Sequence, residues 1–165
     1  MRYPCATVLL IAMQLHWKTG ALLALALVAA CGGKADQCAE IRTAIVTSFW
    51  QDPACQSPVG VCTIGNVASG DLAGSTTFTA LSMTPGPAPN LVLYTGELNI
   101  TTASGTITLR DMGLLDQSTG RYLETQHVIS ATGAYQGHDG ILVSQGISTA
   151  SGFSGDLDGS ICLSN

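Results

Sequence analysis

The chain has 165 residues, of which 10% are charged and 19 are glycine, with six Lys and Arg against eleven Asp and Glu. That length supports one modest domain and its processing segments, built round a single core. An acidic chain with no basic stripe and no stacking aromatic platform excludes a nucleic-acid partner, because phosphate neutralisation needs clustered Lys and Arg.

Residues 21–30, ALLALALVAA, form an apolar run of ten behind Lys18. This is the length of a signal h-region. A spanning helix needs roughly 20 apolar residues, and Gln14, His16 and Lys18 interrupt any extension backwards. The run ends in Val28-Ala29-Ala30-Cys31, which resembles a bacterial lipobox. The resemblance implies that residues 1–30 are a lipoprotein signal peptide and that Cys31 is lipidated and becomes the first residue of the mature chain. Acyl chains contribute about 0.8 kcal/mol per buried methylene, so Cys31 would anchor the protein firmly to a membrane. Met13 opens a signal of fitting length, MQLHWKTGALLALALVAAC, and we read translation as starting there, which leaves Cys5 outside the protein. Gly32 rather than Asp follows Cys31. By resemblance to proteobacterial lipoproteins this favours the outer membrane of a bacterial cell envelope. The mature chain keeps four basic residues against eleven acidic ones, a formal charge of −7, which reads as a solubilising surface.

Residues 31–60 read as a lipid-anchored tether and a disulfide-pinned lead-in. Within them AEIRTAIVTSFWQ fits an extra strand or a short helix equally well. Four cysteines follow Cys31, an even number in a chain bound for an oxidising compartment: Cys38, Cys55, Cys62 and Cys162. Two disulfides are expected. Of the three pairings we favour Cys62 with Cys162 and Cys38 with Cys55, because 62 and 162 bracket the body of the domain. The cysteine spacings of 17, 7 and 100 residues contain no C-x-x-C pair, so no metal site is expected.

From Cys62 onward, strand-length apolar and threonine-rich runs alternate with turn residues: TTFTALSM, NLVLYTGELNITT, GTITLRDMGLL, RYLETQHVISAT, GILVSQGI and SGFSGDLDGSICL. β-Branched and aromatic residues at period two, punctuated by Gly, Asn, Asp, Ser and Pro, predict antiparallel strands. About seven or eight of them with no tolerable long edge predict an all-β domain over 61–165, closed into a barrel in preference to a two-sheet sandwich. TPGPAPN, residues 84–90, carries three prolines and predicts a loop at a barrel mouth.

Strand parity singles out candidate site residues. GTITLRDM sets Ile107, Leu109 and Asp111 on one face; RYLETQHVI sets Leu123, Thr125, His127 and Ile129 on one face and Tyr122, Glu124, Gln126 and Val128 on the other. Asp111 and His127 thus fall on faces read as apolar, where an ionisable group must be paired or change its proton affinity. In SGFSGDLDGSIC, Phe153, Leu157 and Ile161 are expected inward. GDLDG, residues 155–159, lacks the further acids of a calcium loop. Asn99-Ile100-Thr101 is a glycosylation sequon read as an ordinary strand segment in a bacterial protein. No G-x-S-x-G elbow, H-E-x-x-H, P-loop or dinucleotide fingerprint occurs.

SATGAYQGHDGILVSQG, with VCTIGNVASGDLAGSTTFT, LYTGELNITTASGTITLRDMGLLDQSTGRY and GFSGDLDGSIC, resembles the allene oxide cyclase barrel-like family, related in fold to dirigent proteins. Thr132, Gly133, Tyr135, Gly137 and Gly140 match the family's glycine hairpin, while Ser130 and Ala131 stand where two glycines are usual. The resemblance implies a calycin-like, up-and-down barrel of roughly eight strands with an apolar lumen. Three functions follow as expectations. A small hydrophobic ligand binds in the lumen; or the protein is a cyclase or isomerase using Asp111, His127 and Tyr135 as converging lumen groups; or it is a structural envelope protein whose barrel is filled. No cofactor is expected, and oligomeric state is left open.

Overall fold

The computed structural model describes residues 38–163. The signal peptide, the Met13 start, Cys5, the Cys31 lipidation site and the first residues of the tether lie outside them. The described chain is all-β, eight strands in sequence order: β1 (Cys38–Phe49), β2 (Cys62–Val67), β3 (Gly74–Pro85), β4 (Leu91–Thr102), β5 (Gly105–Asp116), β6 (Arg121–Ala131), β7 (His138–Ser148) and β8 (Gly152–Leu163). Each pairs antiparallel with the next, and β1 pairs with β8, so the sheet is a closed barrel with no free edge. The barrel therefore begins at Cys38 rather than at residue 61. AEIRTAIVTSFWQ is a strand because Ile41, Thr43 and Ile45 alternate inward while Arg42, Ala44 and Val46 face out, a period-two pattern that only a pleated ribbon can bury on one side.

Strict up-and-down order sends the connections alternately to two ends. One end, here called the mouth, carries the loops 50–61, 86–90, 117–120 and 149–151; the other, the closed end, carries 68–73, 103–104, 132–137 and both described termini. The proline-rich segment expected to be a loop over 84–90 is a loop only over 86–90, at the mouth; Thr84 and Pro85 still belong to β3 and pair with β4.

The closed half is packed with aliphatic side chains. Ile41, Ile100, Ile107, Leu109, Leu142, Leu157 and Ile161 are buried inside it, and Leu72, from the loop after β2, is 1% exposed and stops its end. Tyr135 lies over the same plug in a single 3₁₀ turn, Gly133–Tyr135. Its hydroxyl donates to the carbonyl of Asp71 across the end of the barrel. Gly133 and Gly137, at φ 62° and 78°, supply the positive backbone angles of this reversal.

The disulfides are Cys38–Cys162 and Cys55–Cys62. The favoured pairing fails for a topological reason. Cys62 opens β2 at the mouth, whereas Cys162 ends β8 at the closed end with β1 between them. Cys38 and Cys162 are direct register partners, so the bridge staples the seam where the first and last strands close the barrel. Cys55 pins the long mouth loop to the start of β2.

Candidate functional site

In the mouth half the inward positions change character. Aliphatic residues give way to aromatic rings from four strands, Phe78, Tyr94, Tyr122 and Phe153, with small residues such as Ala80 and Thr63 between them. Rings are rigid and cannot collapse into each other as aliphatic chains do, so they leave space. The result is an apolar pocket with a free volume of about 60 Å³ inside an envelope of about 600 Å³ that includes its opening. Tyr122 and Phe153 meet edge to face with centroids 5.4 Å apart, and Phe78 and Tyr94 do so at 6.5 Å, the arrangement that ring quadrupoles favour. Two ring positions depend on absent side chains: a Cβ at Gly113 would overlap the Tyr94 ring, and one at Gly96 the Phe78 ring.

The pocket wall and floor carry a polar cluster from three adjacent strands. Tyr94 on β4 donates its hydroxyl proton to Glu124 Oε1 on β6 at 2.6 Å. The side-chain amide of Gln126 donates to Glu124 Oε2 at 3.1 Å and to Asp111 Oδ2 on β5 at 3.2 Å. Asp111 and Gln126 are each 1% exposed. Asp111 Oδ1 and Gln126 Oε1 have no hydrogen-bond partner within the protein. Beside them the hydroxyls of Tyr122 and Ser144 lie 3.2 Å apart.

Burial controls the ionisation of this cluster. Removal from water lifts the Asp111 carboxyl well above the usual carboxylate range, and the neighbouring Glu124 raises it further, against the lowering by the Gln126 amide and the Arg110 charge. Burial also lifts Glu124, opposed by the hydrogen bonds from Tyr94 and Gln126. Tyr94 is held far above the ordinary tyrosine value, by burial first and by Glu124 second, and burial raises Tyr122 as well. Two carboxyl groups joined through one amide in an apolar pocket cannot both carry charge cheaply, so the cluster holds protons that exposed acids would release.

Of the three residues expected to converge, the structure brings only Asp111 to the lumen. His127 is exposed on the outer surface, and Tyr135 caps the opposite end of the barrel. The reason for the first is register. Cross-strand partners share a face, and Arg110 is paired with His127 while Asp111 is paired with Gln126. With Asp111 inward, Gln126 must be inward and His127 outward. The apolar residues Leu123 and Ile129 accordingly stand on the barrel exterior. Glu124, Gln126, Tyr94 and Tyr122 are the site residues that sequence reasoning missed. The signal of Tyr122, Glu124 and Gln126 was present in the alternation of β6, but it needed the pairing with β5 to be assigned a face; Tyr94 takes its face from its pairing with Gly113 across β4 and β5. Among the described residues no group of three or more His, Cys, Asp or Glu is placed to hold a metal ion.

Comparison of the chain with protein-family models, curated proteins and solved structures gives no match.

Proposed function

We propose that the protein binds a small, mainly apolar ligand in the mouth half of its barrel, with the polar cluster orienting one end of that ligand. The observation that carries this reading is the asymmetry of the interior. One half holds a continuous cluster of buried aliphatic side chains, while the other keeps an aromatic-lined pocket with buried polar groups at its floor. Apolar walls with a few placed polar atoms are what ligand sites require. A fully structural barrel has no use for two buried carboxyl groups, which weaken a core unless something is gained from them.

The proposal includes the anchoring of the mature chain through Cys31 to a bacterial envelope membrane, and its membership of the allene oxide cyclase barrel-like family. Cys31 precedes Cys38 by seven residues, and Cys38 stands at the closed end. Intact mass of the mature protein tests this, with loss of the lipid in Cys31→Ala as the expected result.

The binding reading is tested by thermal shift against a panel of neutral lipids and polyketides. Stabilisation by at least one is expected in the wild type and none in Ala80→Leu, which fills the pocket. A panel with no stabilising ligand supports the filled structural barrel instead. A second reading, a cyclase or isomerase, draws on the raised proton affinities of Asp111 and Glu124, which favour a carboxyl that keeps a proton to donate. It requires turnover of a ligand found by the panel, and loss of that turnover in Asp111→Asn.

A further inference from the structure

Hydrogen-bond supply in the pocket is one-sided. The acceptors are the four carboxylate oxygens of Asp111 and Glu124 and the amide oxygen of Gln126. The Gln126 amide group has placed donors on both carboxyls, and the Tyr94 hydroxyl has placed its proton on Glu124. The Tyr122 and Ser144 hydroxyls face one another. Asp111 Oδ1 and Gln126 Oε1 are left as buried acceptors without donors. They belong to different residue types on different strands, and the Gln126 amide nitrogen faces both carboxyl groups. Buried acceptors of this kind each cost about 1–3 kcal/mol when unmatched. No Lys, Arg or His lines the pocket.

We propose that the ligand is a slim apolar molecule ending in a cationic nitrogen, a primary ammonium or an amidinium, whose N–H groups are received by Asp111 and Gln126 and whose charge is balanced by Asp111 and Glu124. The inference rests on the binding reading above and names the ligand class of that same site. A carboxylate ligand would bring a negative charge beside two acids whose own ionisation is already costly. A neutral alcohol brings one donor and no charge. An ammonium group brings three donors and the missing positive charge, and the four aromatic rings of the wall form the kind of surface on which a desolvated cation is held. Ligand binding then turns a cluster that is costly to ionise into a paired one, since an opposite charge close by favours the charged carboxylate.

The experiment is calorimetric titration of the full chain at neutral pH with n-hexylamine, n-hexanol and hexanoate. The amine is expected to bind about tenfold more tightly than the alcohol, and hexanoate more weakly than either. Asp111→Asn is expected to abolish the tenfold preference, bringing the amine to the level of the alcohol. Glu124→Gln gives the same reading should the first variant fail to fold. Equal affinity for amine and alcohol in the wild type, or a preference for the amine that survives both substitutions, overturns the proposal and leaves the binding reading standing. Failure of all three probes to bind, together with a silent neutral panel, removes the binding reading and this inference with it.

Discussion

Asp111 and Gln126 stand directly opposite each other across β5 and β6, and the Gln126 amide nitrogen lies 3.2 Å from Asp111 Oδ2. The pair is fully enclosed, and among the described residues the ionisable side chains close to it are the lumen groups Glu124, Tyr94 and Tyr122 and the outward-facing Arg110 on its own strand. Asp111 and Glu124 both hold their protons above the ordinary carboxyl range, so the folded state binds protons that the unfolded chain releases. Stability is therefore greatest at and below the unfolded carboxyl values and falls as pH rises through the folded ones. Each tenfold gain in proton affinity corresponds to about 1.4 kcal/mol. Asp116 works in the opposite direction, because hydrogen bonds from Ser118 and Thr119 lower it; its contribution is lost as pH falls. We expect thermal unfolding to show Tm declining as pH rises above the ordinary carboxyl range. Asp111→Asn should flatten the decline and raise Tm at the alkaline end. An unchanged slope in that variant rules out Asp111 as its source.

Tyr94 is the donor that keeps Glu124 satisfied, at 2.6 Å. Tyr94→Phe keeps the ring and its packing but withdraws this bond. A hydrogen bond contributes about 0.5–1.5 kcal/mol net, and denaturant unfolding at neutral pH should show a loss in that range. Because the bond from Tyr94 lowers the Glu124 value, its removal also shifts the decline in Tm to higher pH. A variant as stable as the wild type at every pH would mean that Glu124 gains nothing from the tyrosine.

The barrel was legible in the sequence because its signals are local. Period-two runs, glycine and proline punctuation and an acidic, lightly charged composition all survive without knowledge of neighbours. Ile107, Leu109 and Asp111 were assigned to one face on alternation alone, and they share it. The site was only partly legible because its face depends on pairing. Along β6 both faces mix polar and apolar residues, and the apolar pair Leu123 and Ile129 points outward, so composition assigned the wrong face. An extra residue at the irregularity between Thr108 and Leu109 further breaks the alternation of β6 near Ile129. The same dependence explains the cysteines. Sequence separation says nothing about which end of an up-and-down barrel a residue occupies; strand number and direction do, and these place Cys38 beside Cys162.

That seam gives a third expectation. The Cys38–Cys162 bridge spans 124 residues and Cys55–Cys62 spans seven. In the chain-entropy account the long loop is worth about 4–5 kcal/mol and the short one about 2 kcal/mol. Cys38→Ser with Cys162→Ser should therefore lose more than twice the stability lost by Cys55→Ser with Cys62→Ser, measured by urea unfolding of each double variant. Equal losses would show that seam closure is secured by the β1–β8 ladder without the bridge.

The two halves of the barrel should respond independently to mutation. Leu72 at the closed end is 1% exposed, and Leu72→Ala leaves a cavity costing about 2–5 kcal/mol. It does not line the mouth pocket, so ligand affinity should stay at the wild-type value once the protein is folded. Gly113 is the register partner of Tyr94 and has its ring laid over it. In Gly113→Ala the added methyl pushes that ring toward the pocket, at a cost of about 1–3 kcal/mol for overpacking. The smaller loss of stability should therefore come with the larger loss of ligand affinity. Calorimetric titration and thermal unfolding of the two variants side by side test this, and a parallel fall of affinity with stability in both would show that the halves are mechanically coupled rather than separate.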